Sequence, residues 1–254
     1  MIRVAAVGDI HMAPETQGSL RPAFEELPEC ADVLLLAGDL TRHGTPEEAR
    51  VVAREVKGLA VPVVAVLGNH DHHDERPQKV TAILEDAGAQ VLEGRGVVVP
   101  CGGARVGVAG TKGFGGGFVG RSAGEFGEPL MKAFVRDTRH SADALRTSLQ
   151  QLAEQGCDVR IALTHYSPVP DTLAGEPLEI YPFLGSYLLA EAIDTAGADL
   201  AVHGHAHAGT ENGMTSGGVR VRNVAQPVIG RAFHVYHLHA REPLAAGAPT
   251  DSSG

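Results

Sequence analysis

Five short polar clusters, each following an apolar run, hold most of the residues that could bind a metal or move a proton. They are Gly8-Asp9-Ile10-His11, Gly38-Asp39, Gly68-Asn69-His70-Asp71, Thr164-His165 and Gly204-His205-Ala206-His207. The runs read as strands, which puts every cluster at a strand carboxyl end, the edge where open α/β sheets bind ligands. Gathered there, the clusters supply two aspartates, one asparagine and several histidines, with no thiolate. Such a mixed oxygen and nitrogen set suits Mn, Fe, Zn or Co better than a structural zinc. Asn69 would coordinate through its carbonyl without adding charge, and glycines 8, 38, 68 and 204 allow sharp turns and close approach. Alone, Asp9 or Asp39 reads as an exposed strand-end carboxylate and His165 as a satisfied buried histidine. The ordered set is what points to a metal centre.

The elements that must position these residues follow from periodicity. Strand patterns cover Val4 to Val7, Val33 to Ala37, Pro62 to Leu67, Val97 to Val99, Arg105 to Ala109, Val159 to Leu163 and Leu200 to His203. With amphipathic stretches between them, they indicate an α/β layered fold with parallel pairing. The clearest helix spans Thr45 to about Gly58, because Thr45 and Glu48 form a capping box, Pro46 takes the first turn and Gly58 supplies the stop. Further helices are expected over about Gln78 to Ala87, Ala142 to Gln155 and Leu184 to Ala196. Late strands at Val219 to Val224 and Ala232 to His239 suggest an antiparallel portion. Residues 1–243 read as one domain, followed by a polar, disordered tail at 244–254.

Composition narrows the function classes. The chain has 254 residues, 43% hydrophobic, enough for one substantial core. A formal charge of −10 argues against nucleic acid as partner. No apolar run approaches the ~18 residues of a membrane span, and a cytoplasmic location is expected. Cys30, Cys101 and Cys157, without a CxxC, argue against a disulfide framework or a cysteine zinc site.

The order D-x-H, G-D, G-N-H-D, T-H, G-H-x-H across residues 9–207 resembles the calcineurin-like metallophosphoesterase superfamily. That resemblance implies a two-sheet αββα sandwich around two transition-metal ions. It implies that Asp9, His11 and His207 hold one ion, that Asn69, His165 and His205 hold the other, and that Asp39 bridges them. His70 is then the catalytic histidine, assisting the leaving group while a metal-bridging hydroxide attacks phosphorus. Two dications against two carboxylates and a hydroxide leave about +1, which attracts an anionic ester despite the acidic chain.

Departures from the family's branches refine the expectation. Arg42 and His43 stand where serine/threonine phosphatases of the superfamily carry an acidic residue and an arginine, and Arg42 also replaces the tyrosine of purple acid phosphatases. What remains is similar to small bacterial phosphodiesterases, so a small phosphodiester, with nucleotides among the candidates, is the expected substrate. A phosphomonoesterase or nucleotide pyrophosphatase, and a noncatalytic scaffold, are the alternatives. Substrate contacts are expected from Arg42, His43, His72, Phe114, Phe118 and Tyr166. Residues 110–127 hold eight glycines and read as a long loop. The insertion at 110–136 is expected to be either a mobile flap over the site or an interface of a homo-oligomer.

Overall fold

The computed structural model describes residues 1–240; the expected tail at 244–254 lies outside them. Thirteen strands run in chain order as β1 (Ile2–Val7), β2 (Val33–Ala37), β3 (Val63–Val66), β4 (Ala89–Val91), β5 (Arg95–Cys101), β6 (Ala104–Thr111), β7 (Gly117–Phe118), β8 (Arg121–Ser122), β9 (Val159–Thr164), β10 (Leu200–His203), β11 (Asn212–Met214), β12 (Arg220–Asn223) and β13 (His234–Leu238). The helices are α1 (Arg21–Glu25), α2 (Leu27–Cys30), α3 (Pro46–Val56), α4 (Pro77–Asp86), α5 (Pro129–Glu154), α6 (Tyr181–Leu184), α7 (Tyr187–Ala196) and α8 (Gln226–Ile229).

The strands form two large sheets, ordered β13-β1-β2-β3-β4 and β11-β12-β10-β9-β6-β5. Their central strands are parallel, and both faces of each are covered, which is why they read as nearly continuous apolar runs. Alternate residues divide the work. Val4, Ala6, Val33, Leu35, Val64 and Val66 meet Val106, Val108, Val159, Ile161, Leu163 and Val202 between the sheets. Ala5, Val7, Leu34 and Leu36 face outward onto Phe24, Leu27, Val52, Val56, Val80 and Leu84 of the first helical layer. Ala109, Ala162 and Ala201 face Leu145, Leu149, Leu189 and Ile193 of the second. The result is the expected αββα sandwich, in which each fully buried Val or Leu contributes about 1.5–3 kcal/mol.

Helix α3 forms as its capping box dictates: Thr45 Oγ1 accepts from Glu48 N at 3.2 Å, and Glu48 Oε2 accepts from Thr45 N at 3.2 Å. Four expectations need correction. β5 and β6 pair antiparallel, because they are joined directly through Gly102 and Gly103, whose φ values of +55° and +89° make a tight turn. The expected helix from Leu184 is broken at Gly185, where an added Cβ would stand 2.1 Å from the Ser167 carbonyl; α7 starts afterwards at Tyr187. Helix α5 begins at Pro129, well before Ala142. The glycine-rich stretch is not one long loop: Gly110 and Thr111 end β6, and residues 117–122 close a small hairpin. The late strands supply the expected antiparallel portion, with β12 antiparallel to β11 and β13 antiparallel to β1, while β12 also runs parallel to β10.

Candidate metal centre

All five polar clusters leave the carboxyl ends of β1, β2, β3, β9 and β10 and meet along one edge of the sandwich. The backbone there is bent into unusual conformations. Asp9, His11, Asp39 and His205 have φ values of 56°, 41°, 50° and 71°, a left-handed region that costs non-glycine residues about 1 kcal/mol or more each. Among the described residues, Glu75 is the sole other non-glycine case. Strain so concentrated aims side chains at a common point. Glycines permit the crowding: a Cβ on Gly68 would lie 2.1 Å from Asp39 Oδ1, and one on Gly204 would lie 2.3 Å from Asp9 Oδ2.

Two groups of donor atoms result, one formed by Asp9, His11, Asp39 and His207 and one by Asp39, His165 and His205, each drawn within 4.8 Å. Asp39 belongs to both. In the first group His207 Nε2 is 2.9 Å from Asp9 Oδ1, and the Nε2 atoms of His11 and His207 are 3.5 Å apart. In the second, His165 Nε2 is 3.0 Å from Asn69 Oδ1 and 3.3 Å from Asp39 Oδ1, so Asn69 joins that group as a neutral oxygen.

Backbone carbonyls set the imidazole tautomers. His165 Nδ1–H donates to the Ala37 carbonyl at 2.9 Å, which turns Nε2 towards the centre. His205 Nε2–H donates to the Phe183 carbonyl at 3.3 Å, which leaves the Nδ1 lone pair as the one that could hold a metal. Burial alone would keep His165 neutral, but Asp39 overrides it and pushes the imidazole up to about 9. Burial conversely pushes His205 down to about 3, so its imidazole is neutral and could hold a metal without losing a proton. Asp39 is itself buried, which opposes ionisation, yet His165 and the backbone N–H of His70 hold its carboxyl well below the usual range. With both ring nitrogens donating, His165 carries a positive charge where Asp39, Asn69 and His205 converge. A donor set that stabilises a cation at that point fits a metal ion.

His70 stands apart from both donor groups. Its backbone N–H donates to Asp39 Oδ1 at 2.8 Å, and its Nδ1–H donates to the Arg42 carbonyl at 2.7 Å. Nε2 then faces outward, 3.9 Å from Asp39 Oδ2, on a side chain 39% exposed. Such an imidazole can meet a substrate.

Asp71, to which sequence reasoning gave no role, organises the loops. Its carboxylate is fully buried and accepts from the backbone N–H groups of Leu40, Thr41 and Gly68 and from the Thr41 hydroxyl, at 2.6–3.2 Å. Burial and the nearby Asp39 push it up to about 6 against the pull of those donors. It thus ties the loop carrying Asp39 to the loop carrying Asn69 and His70. Asp71→Ala strands four buried donors, and a stability loss on the order of 3 kcal/mol is expected in denaturant melts; a loss below about 1 kcal/mol would contradict this role. The signal was present in the G-N-H-D motif, whose last residue has no ligand to hold.

The expected substrate contacts separate into different fates. The Arg42 guanidinium pairs with Glu15, and it is the Arg42 carbonyl that serves the site, through His70. His43 is 3.1 Å from Glu48 and joins the cap of α3. Tyr166 is buried, its ring 4.3 Å from that of His205, where it backs that imidazole. Phe118 is 7% exposed and packs with Leu173, Leu184 and Tyr181, so it offers no open face. Phe114 lies between Phe134 and Tyr166, at centroid distances of 5.0 and 5.8 Å. His72 is half-buried, and burial together with the Lys112 charge pushes it down to about 4. The glycine segment is pinned rather than free: Gly116 and Gly117 N–H donate to the carbonyls of Pro182 and Gly185 at 2.7 and 2.9 Å. His203, beside the candidate ligands in sequence, is fully buried and bonded to Thr172 Oγ1 at 2.8 Å, a structural histidine.

Comparison with known proteins places the chain in a family. Residues 2–209 match the family model described as calcineurin-like phosphoesterase. A probable cyclic nucleotide phosphodiesterase from Synechococcus sp. is 30% identical over 92 residues, which are 32% of this chain and 34% of that protein. The chain therefore matches about a third of the length of that curated relative. Phosphopantetheinyl hydrolase from Mycobacterium tuberculosis superposes with a TM-score of 0.64 at 17% identity, covering 87% of this chain and 88% of that one. A 5'-nucleotidase precursor from Thermus thermophilus superposes with a TM-score of 0.51 at 17% identity, covering 87% of this chain and 48% of the other. At these identities both likenesses establish the fold. No helix among the described residues is long and apolar enough to cross a membrane.

Proposed function

The chain belongs to the calcineurin-like phosphoesterase family, and from that membership we propose that this phosphoric ester hydrolase cleaves small organic phosphodiesters with two transition-metal ions. The observation that carries the reading is the Asp39 carboxylate, shared by two donor groups whose other members are distinct. Asp9, His11 and His207 would hold one ion with Asp39; Asn69, His165 and His205 would hold the second with Asp39. Mn, Fe, Zn and Co all suit these ligands. When bound, such ions supply Lewis acidity to phosphoryl oxygens and make water nucleophilic near neutral pH.

The chain's own groups do the rest. Asp39 and Asp9 keep the centre from becoming so positive that product phosphate stays bound. The Ala37 and Phe183 carbonyls hold His165 and His205 in the ligating tautomers. His70, fixed at Nδ1 by Arg42, presents Nε2 to the departing oxygen, where it delivers a proton or stabilises developing charge. The diester preference rests on the Synechococcus relative. Hydrolysis of bis-p-nitrophenyl phosphate compared with p-nitrophenyl phosphate, both with Mn²⁺, tests it. Faster turnover of the diester is expected, and faster turnover of the monoester would contradict the reading.

Proton release offers an independent check. In metal-free protein at pH 7.5 His165 is protonated, because its pKa of about 9 lies above the solution pH. A metal must displace that proton, so binding weakens as pH falls, by about tenfold per unit for this one group. Calorimetric Mn²⁺ titrations in buffers of different ionisation enthalpy should report about one proton released per chain from this residue. Metal binding without proton release would exclude His165 as a ligand.

A further inference from the structure

Lys112 follows β6 immediately and lies beside the proposed centre. Its carbonyl accepts from the backbone N–H groups of His165 and Tyr166 at 3.0 and 3.1 Å, which locks the residue to the loop bearing a proposed ligand. Its ammonium is half-buried, lying 4.7 Å from the Phe114 ring centroid and 5.0 Å from that of Tyr166, and it donates to the Gly113 carbonyl at 3.0 Å. Tyr166 in turn packs on His205. Among the described residues Lys112 makes no ion pair within 4.0 Å.

The Gly113 carbonyl and the two ring faces satisfy part of the ammonium, but no carboxylate neutralises it directly, and holding a cation away from water without one is costly. Glu93 and Asp137 share the cavity wall but act on the ammonium at longer range. Both oxygens of Glu93 are already engaged, by the Thr111 hydroxyl at 2.7 Å and by Lys112 N–H at 3.1 Å. The ammonium faces a cavity of about 210 Å³ lined also by His72, Phe114 and His140. A neighbouring groove of about 400 Å³, lined by Leu67, Pro77, Ala82 and Leu92, shares His72 and Glu93 with it. A cation without a direct counter-ion thus has a cavity in front of it and an apolar groove alongside.

We propose that Lys112 is a specificity-determining residue that binds a second anionic group on the substrate's organic substituent, which occupies the cavity bounded by His72 and Phe114. This rests on the phosphoesterase reading of the adjoining centre. The substrate is then an ester whose organic part carries its own carboxylate or phosphate.

Three hydrolysis-resistant probes test it by calorimetry on the Mn²⁺-loaded protein: phenylphosphonate, 4-carboxyphenylphosphonate and 1,4-phenylenediphosphonate. The wild type should bind at least one doubly functional probe about tenfold more tightly than phenylphosphonate, the gain expected of one charge-assisted contact. Which one gains distinguishes carboxylate from phosphate. Lys112→Met, which preserves the stem over the two rings, should reduce that ratio to about one, and Lys112→Arg should retain most of it. A ratio of one in the wild type, a ratio unchanged in Lys112→Met, or no binding of any probe would overturn the assignment. Absence of bis-p-nitrophenyl phosphate hydrolysis with the binding preference intact would remove the diesterase reading and leave Lys112 in its role.

Discussion

Asp39→Ala is expected to lower the metal content of the protein more than any other single ligand substitution and to reduce phosphodiester hydrolysis by about 10³-fold or more. The magnitude follows from the several kcal/mol that metal-ion catalysis supplies, at about 1.36 kcal/mol per factor of ten in rate. Asp39 contributes to both donor groups and also accepts the His70 N–H, so on the proposed reading its loss loosens both ion sites and His70 together. Asn69→Ala removes one neutral oxygen from one group and should retain more metal. Metal analysis per chain on both variants, prepared alike, makes the comparison. Equal occupancy in the two would contradict the bridging role of Asp39.

His70→Ala has the second largest expected effect and a different signature. Its Nε2 belongs to neither donor group, so both ions should be retained. Rates should fall by about 10²–10⁴ on diesters with poor leaving groups, the usual worth of acid–base assistance. Activated leaving groups such as p-nitrophenolate need little proton delivery and should suffer less. The check is a plot of log kcat/KM against leaving-group pKa, steeper for the variant than for the wild type. Parallel lines, or loss of metal, would remove His70 from this role.

The proposed ligand set was legible because each member sits at or just beyond a strand end, where an apolar run stops at a donor residue, preceded by a glycine in every cluster except Thr164-His165. Helix α3 was legible for a similar reason, since Thr45, Pro46 and Glu48 write its start in local chemistry. Other features are decided by tertiary partners and leave little local trace. The first half of α5 buries only Val135 and Thr138 before Ala142, so its apolar stripe is thin. α1 and α2 are one-turn pieces separated at Glu26, each with proline in its first turn, and β4 has three residues. The carbonyls of Ala37, Arg42 and Phe183 orient three histidines, yet every residue has a carbonyl, so no residue type announces that task. Arg42 shows the point well: its side chain is what stands out in the sequence, while its backbone does the positioning.

The aromatic residues teach a related lesson. Phe114, Phe118 and Tyr166 invite assignment as substrate contacts because they lie near proposed ligands in sequence. In the structure Phe118 and Tyr166 are packed inward, whereas the exposed large apolar residues include Val119, Phe126, Leu130 and Phe183. Composition placed rings near the centre but could not say which faces they turn to water.

The most direct test of the two-ion claim is a titration of metal-free protein with Mn²⁺ while bis-p-nitrophenyl phosphate hydrolysis is followed. With protein well above the dissociation constants, activity should be absent without metal and should rise to a plateau at two equivalents per chain. Activity in the metal-free protein, or a plateau at one equivalent, would contradict the account.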